Sequence, residues 1–182
     1  MFDLIRECDR CRLCKHQKPL IDEVDACCVF WVGLSAKIAT YDGEKPLSST
    51  TNSGGLLCEV EKKCTGIPMY RTNLVKCAPL TEAGKLRYPN QNEIDSCLPH
   101  LRFEIEELAP QIVFLLGSKV SDAVSRFFSI EFDKWDGFNY SYEIYNNIYF
   151  VPIHHPSYIY VYKRKMIGEY VDGLLRMVNQ II

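Results

Sequence analysis

Nine cysteines stand out in a chain of 182 residues whose composition is otherwise average. Cys8, Cys11 and Cys14 form overlapping C-x-x-C pairs, and such a loop lets two thiolates reach one metal centre. Cys77 follows a predicted strand and Cys97 lies on the first turns of the next predicted helix. Four thiolates from two parts of the chain suit either zinc or an iron–sulfur cluster, because spacing alone does not distinguish the metals. The odd count also excludes complete disulfide pairing.

The other cysteines and the apolar runs predict the compartment. Four cysteines are expected to pack as small hydrophobes or to remain free: Cys27, Cys28, Cys58 and Cys64. The longest apolar runs, such as 26–32 and 112–116, are of strand length and far below the ~20 residues that span a bilayer. With no signal-peptide pattern at the start, we expect a cytoplasmic protein with reduced thiols and no membrane partner.

Two polar side chains follow apolar segments and could carry out chemistry. Asn73, in TNLVKCAP, offers a donor and an acceptor together, which suits the edge of a pyrimidine. His155, in HHPSY, could donate a hydrogen bond to an oxygen that gains negative charge, and Ser157 could contact a phosphate. Each has a simpler interpretation, as a polar group satisfied by a neighbouring loop or as part of a surface turn.

The elements that must position these residues alternate along the chain. Strands are predicted at 26–33, 69–75, 112–116 and 148–153. Helices are predicted at 2–10, from a cap at Ser53 to 63, and at 92–108, 118–128 and 163–181. This alternation predicts a parallel sheet covered on both faces, with ligands at the carboxyl ends of the strands. The informative loops therefore follow Gly33, Val75, Gly117 and Ile153.

Composition limits the size of the fold and the kind of partner. Hydrophobic residues make up 47% and charged residues 24% of the chain, which predicts a single globular domain over residues 1–182. The net charge of −2 excludes a polycation, so any nucleic-acid contact must use a local basic patch. We expect a monomer.

Five motifs are spread over nearly the whole chain, in the order Cys8-x-x-Cys11-Arg-Leu, TNLVKCAP, NEIDSCLPHL, APQIVFLLGS and HHPSY. In these motifs the chain resembles family 4 uracil-DNA glycosylases. The ordered combination is specific, although each motif alone is not. The resemblance implies an α/β protein with a four-stranded parallel sheet in an α/β/α sandwich.

The resemblance also implies a set of site residues. A [4Fe–4S] cluster, with zinc as the alternative, would be held by four cysteines, with Cys14 left as a spare: Cys8, Cys11, Cys77 and Cys97. The pair Cys11 and Cys14 is the alternative to Cys8 and Cys11, which are preferred because Leu13 then stands where the family has a leucine. Asn73 would read the extruded base and His155 would stabilise the departing base anion. Four residues would meet DNA, the first two in a loop entering the duplex and the last two at phosphates: Ser157, Tyr158, Lys163 and Arg164.

The predicted base pocket departs from the family pattern. It comprises Gly33, Leu34, Ser35 and Leu47, in addition to Asn73. Leu34 stands where the family has a water-positioning carboxylate, and a leucine cannot orient or deprotonate water. Leu47 replaces the phenylalanine that stacks on the base. Asp42 is our candidate catalytic carboxylate, with Glu44 as an alternative, and Tyr41 could supply an aromatic face.

These residues predict a DNA glycosylase that hydrolyses the bond between base and deoxyribose after base flipping. Its DNA would contain uracil or another modified base, and the altered pocket also suits a bulkier modified pyrimidine, as in repair or phage defence. A non-catalytic iron–sulfur module that binds nucleic acid is a second hypothesis. A redox protein is a third, which leaves Asn73 and His155 without a role.

Overall fold

The computed structural model describes residues 2–182 and is built around one sheet. Its five strands are β1 (Val29–Ser35), β2 (Met69–Val75), β3 (Ile112–Leu116), β4 (Glu143–Tyr145) and β5 (Ile148–Ile153). They lie in the order β2-β1-β3-β5-β4. β1, β2, β3 and β5 pair in parallel, as predicted from the apolar runs, and this confirms the α/β fold class.

The fifth strand differs from the prediction of four. β4 is short, largely exposed, and pairs antiparallel with β5 at the edge of the sheet. The turn between them consists of Asn146 and Asn147, both with positive φ (51° and 63°). Consecutive left-handed residues close a tight hairpin, and asparagine tolerates that conformation better than most residues. The Asn-Asn pair was therefore the sequence signal for the missed hairpin.

Helices cover both faces of the sheet. They are α1 (Asp3–Arg6), α2 (Asn52–Lys63), α3 (Gln91–Leu108), α4 (Ser118–Phe128), α5 (Pro156–Tyr162) and α6 (Ile167–Ile181). Alternate strand residues point to opposite faces, so Phe30 and Val32 pack with α3 and α4 while Val29 and Trp31 pack with α2, α5 and α6. The result is the predicted α/β/α sandwich.

Several helix boundaries differ from the prediction, and a local hydrogen bond explains one of them. α2 begins earlier because the Thr51 hydroxyl, not that of Ser53, accepts the amide of Gly54 at 3.0 Å. The helix predicted from Lys163 begins later, as α6 at Ile167 after a short 3-10 turn. α5, which has Pro156 at its first position, was not predicted. The first helix ends at Arg6 rather than Arg10.

Two further observations concern the cysteines and the helices. All nine cysteines are free thiols. Within residues 2–182, no helix is both long enough and apolar enough to cross a membrane.

Candidate active site

A cleft of about 1090 Å³ opens at the carboxyl ends of the parallel strands. Most of the residues predicted for base and DNA contact line it: Leu34, Ser35, Leu47, Asn73, His155, Ser157 and Tyr158. The parallel sheet brings them together because the carboxyl ends of its strands share one edge.

Asn73 is fixed at the floor of the cleft by the neighbouring strand. It is buried, and its partner in the register of β1 and β2 is Gly33. A Cβ at position 33 would lie 2.3 Å from Oδ1 of Asn73 and 3.0 Å from Cδ2 of Leu47. Gly33 therefore acts by leaving room for the Asn73 amide and the Leu47 side chain.

Replacing Gly33 by alanine is expected to displace the Asn73 amide and to slow base excision by about 10²-fold, because misplacement by about 1 Å costs that much. Single-turnover excision rates measure the effect. The matched control is Gly55→Ala, whose Cβ would lie 3.7 Å from its nearest neighbour, the Ser49 carbonyl oxygen. Equal rates for the two variants would contradict this positioning of Asn73.

His155 is held in one orientation by the start of α5. It is the N-cap residue, and its Nδ1 accepts the amide N–H of Ser157 at 3.2 Å and lies 2.7 Å from the Ser157 hydroxyl. An Nδ1 that accepts an amide hydrogen carries no proton, so the neutral imidazole carries its proton on Nε2. Burial lowers the pKa of His155 and favours this neutral form. The ring is thus prepared to donate from Nε2.

This geometry predicts the acid side of the pH profile. Because burial lowers the pKa of His155 below its ordinary 6.5, the neutral ring persists to more acidic pH than in an exposed histidine. We expect the acid limb of the excision-rate profile to have its midpoint below pH 6.5, as protonated Nδ1 loses the Ser157 contact. Stopped time courses across pH at constant ionic strength measure this. A midpoint at or above pH 6.5 would contradict it.

Leu47 forms an apolar wall of the cleft on a strained backbone. Its φ of 49° lies in the left-handed region, which is uncommon for leucine. Nη1 of Arg71 donates to the Leu47 carbonyl at 2.6 Å, while Nε and Nη2 of the same side chain bind the Glu61 carboxylate at 2.9 and 2.5 Å. A Cβ at Gly54 would lie 2.2 Å from the Leu47 carbonyl oxygen. The Arg71 hydrogen bond and the close packing of Gly54 therefore hold Leu47 in place.

The remaining candidate residues lie outside the cleft lining. Asp42 and Tyr41 are exposed, and Tyr41 borders a second, smaller cavity. Glu44 is buried, and its carboxylate pairs with Lys37 at 2.6 Å, which holds the pKa of that carboxyl below its usual value. The structure therefore does not bring a candidate carboxylate into the cleft.

The predicted DNA contacts differ in position from the expectation. Ser157 and Tyr158 belong to the first turn of α5 rather than to a loop. The Ser157 hydroxyl contacts His155. Lys163 and Arg164 are exposed after the end of α5, outside the cleft lining.

Three of the cysteines proposed as metal ligands, Cys11, Cys77 and Cys97, lie in or against one hydrophobic cluster on one side of the sheet. Cys77 and Cys97 are buried, and the pKa of the Cys77 thiol is raised by burial and then by nearby thiols of Cys97, Cys11, Cys14 and Cys8. The donor set is all-thiol, which fits zinc or an iron–sulfur cluster. In residues 2–182, however, no group of three or more Cys, His, Asp or Glu side chains has the arrangement of a metal site.

A buried charge network beneath Asn73 was missed at the level of the sequence. Nζ of Lys76 donates to Glu104 at 2.6 Å, to Thr72 Oγ1 at 2.6 Å and to the Asn73 carbonyl at 2.7 Å. Glu104 also accepts the Tyr70 hydroxyl at 2.9 Å. Both charged side chains are almost completely buried. Lys76 thereby fixes the backbone that carries Asn73.

Comparison with known proteins agrees with this arrangement. The family described as "Uracil DNA glycosylase superfamily" matches residues 47–178. The chain belongs to the uracil DNA glycosylase superfamily. Among curated superfamily relatives, it is 28% identical to a type-4 uracil-DNA glycosylase of Saccharolobus solfataricus, over 85% of this chain and 73% of that protein. It is 30% identical to a type-4 uracil-DNA glycosylase of Pyrobaculum aerophilum, over 64% of this chain and 59% of that protein.

A solved structure with a similar fold is that of the wild-type SMUG2 protein of Pedobacter heparinus. Its TM-score is 0.52 at 14% identity, and the match covers 85% of this chain and 76% of that one. At this identity the likeness concerns the fold alone, and it agrees with the α/β/α sandwich.

Proposed function

We propose that the chain is a DNA glycosylase that hydrolyses the bond between a base and deoxyribose. The observation that carries the proposal is that Asn73 and His155, which approach from different strands, line the same cleft. The names of the two type-4 relatives support the reaction class. We propose DNA as the substrate because Lys37, Arg87 and Lys119 line the cleft, whereas no aspartate or glutamate among residues 2–182 does so. Lys37 and Arg87 each also pair with a carboxylate outside the lining, that of Glu44 and that of Glu93.

The chemistry follows from the two side chains. The Asn73 amide would pair with the edge of an extruded pyrimidine, since it carries both a donor and an acceptor. Nε2–H of His155 would donate to a base oxygen as the glycosidic bond breaks and the bonding electrons pass to the base. Water would then add to C1′ of the sugar and lose a proton to solvent. In this scheme leaving-group stabilisation replaces activation of water by a carboxylate.

Uracil is our first candidate for the base, and a bulkier modified pyrimidine is the second. The second is favoured by Leu34 and Leu47, which stand in place of a carboxylate and an aromatic ring. It is also favoured by the cleft volume of about 1090 Å³, at the upper end of the range for small-molecule pockets and more than a single base requires. Hydroxyls of Ser48, Thr51 and Ser53 beside this space could bind a polar substituent.

An excision assay tests the proposal. Oligonucleotides carrying uracil, hypoxanthine or modified cytosines are incubated with the protein, and alkali then cleaves abasic sites. Strand breaks that require His155 would support a glycosylase, and the base that is cut identifies the substrate. Binding without cleavage of any base would instead support a non-catalytic module. A large gain of uracil excision in Leu34→Glu would indicate that the pocket otherwise accepts uracil.

We further propose that Cys8, Cys11, Cys77 and Cys97 hold a [4Fe–4S] cluster. Bound there, the cluster would link the amino-terminal segment to β2 and α3 as a structural element. Iron content and visible absorption of anaerobically purified protein test this, with Cys77→Ser expected to lose both. Cys58→Ser is the matched control, since the Cys58 thiol accepts Arg71 Nη2 at 3.0 Å on α2. Stoichiometric zinc without visible absorption would contradict the iron–sulfur assignment.

A further inference from the structure

The exposed apolar side chains of this protein are concentrated at the cleft. Of the ten large hydrophobic residues that are exposed among residues 2–182, five line it, and we call these five the aromatic rim: Leu86, Tyr88, Tyr158, Val161 and Tyr162. Tyr88 is 71% exposed and Tyr162 is 73% exposed. A concentration of exposed apolar side chains around one cleft marks a recognition surface.

The residues of the aromatic rim belong to opposite layers of the sandwich. Tyr88 lies in the loop before α3, and Nζ of Lys119 on α4 lies 4.8 Å from the centre of its ring. Tyr158 and Tyr162 lie on α5, which packs with α2 and α6 in the other layer. Aromatic side chains therefore border the cleft on two sides. A single side chain inserted between the base pairs of a duplex would need aromatic residues on only one side.

The rings on α5 and that of His154 form a row at the cleft. Tyr158 and Tyr162 are four residues apart on one helix face, with ring centres 5.5 Å apart and ring planes tilted by 40°. The Tyr158 ring lies 6.2 Å from that of His154 and nearly parallel to it, at 16°. Each ring offers a flat face to an unstacked base, and such stacking is tolerant of sequence.

The charge distribution favours one strand over two. Three cationic side chains line the cleft, and two of them are already paired, Lys37 with Glu44 and Arg87 with Glu93, which leaves Lys119 without a carboxylate partner among the described residues. This small local charge, bordered by aromatic rings, suits the backbone of one strand. A duplex would instead need basic residues spread over a broader face.

We infer that the aromatic rim stacks on unpaired bases that flank the target nucleotide, so that the protein binds and processes single-stranded DNA in preference to duplex. This inference rests on the proposed function for the identity of the target nucleotide. The aromatic rim would thus bind single-stranded DNA, in which the flanking bases are already unpaired.

Binding of DNA without any excisable base tests the inference separately from catalysis. Fluorescence anisotropy compares one labelled oligonucleotide, single-stranded or annealed, at fixed ionic strength. We expect at least tenfold tighter binding to the single strand. Tyr88→Ala and Tyr162→Ala should each weaken single-strand binding about 5- to 100-fold, as loss of one stacked base does.

Two sets of variants serve as controls. Tyr88→Phe and Tyr162→Phe keep the ring and should keep binding within about twofold of the original, since stacking does not need the hydroxyl. Tyr41→Ala removes a tyrosine that is 57% exposed but does not line the cleft, and should leave binding unchanged. Thermal unfolding of each variant confirms that it is folded.

The outcomes separate the inference from the proposed function. Duplex binding as tight as single-strand binding, or equal losses in Tyr41→Ala and the rim variants, would overturn the inference even if bases are excised. If no base is excised but the single strand is preferred through the rim, the inference stands and the glycosylase proposal fails.

Discussion

Replacing His155 by alanine is expected to reduce the rate of base excision by about 10²- to 10³-fold, the usual effect of removing one preorganised donor to a developing negative charge. The protein holds this donor ready, because the Ser157 amide fixes Nδ1 as the acceptor and leaves the proton on Nε2. Single-turnover excision from an oligonucleotide containing the identified base measures the change.

The controls for His155 separate chemistry from folding and binding. His16→Ala removes an exposed histidine outside the cleft and should leave the rate unchanged. His155→Ala should still bind DNA, since the aromatic rim and the basic side chains of the cleft remain. A loss of less than about threefold in His155→Ala would exclude its proposed role in stabilising the departing base.

The second large effect concerns stability. Replacing Glu104 by leucine is expected to lower the free energy of unfolding by about 3–5 kcal/mol, because Lys76 would keep a buried charge without its partner. The side chains of Lys76 and Glu104 are 1% and 0% exposed, so water cannot compensate. Urea unfolding followed by circular dichroism measures the change.

Removing both charges tests the reason for the loss. The double variant Lys76→Met with Glu104→Leu should recover most of the lost stability, because it leaves no buried charge at this site. Lys45→Met breaks an ion pair with Asp22 in which the lysine side chain is 63% exposed, and should cost less than about 1 kcal/mol. A double variant as unstable as Glu104→Leu would show that the loss comes from packing rather than from charge.

The sequence predicted the parts of the site that depend on strand ends. Asn73 lies near the end of β2 and His155 follows β5, and a parallel sheet necessarily brings the carboxyl ends of its strands to one edge. The four parallel strands were predictable because strand and helix patterns alternate along the chain. These predictions needed only local patterns.

Features that depend on contacts between distant segments could not be predicted. Glu104 lies 28 positions from Lys76, and nothing local indicates that they pair. The positive φ of Leu47 depends on Arg71, which is 24 positions away and binds its carbonyl. Asp42 was chosen as a catalytic candidate to replace the carboxylate missing at Leu34, in a loop without predicted geometry, and the structure places it on the surface.

The order of strands in the sheet has a consequence for when the site becomes complete during synthesis. Asn73 lies on β2 at one edge, and His155 follows β5, with β1 and β3 between them. Both pairings of β3 with its neighbours join segments far apart in the chain, and such pairings form slowly. A chain still emerging from the ribosome would hold Asn73 long before His155. On the proposed mechanism, partly made protein could therefore not release bases from DNA.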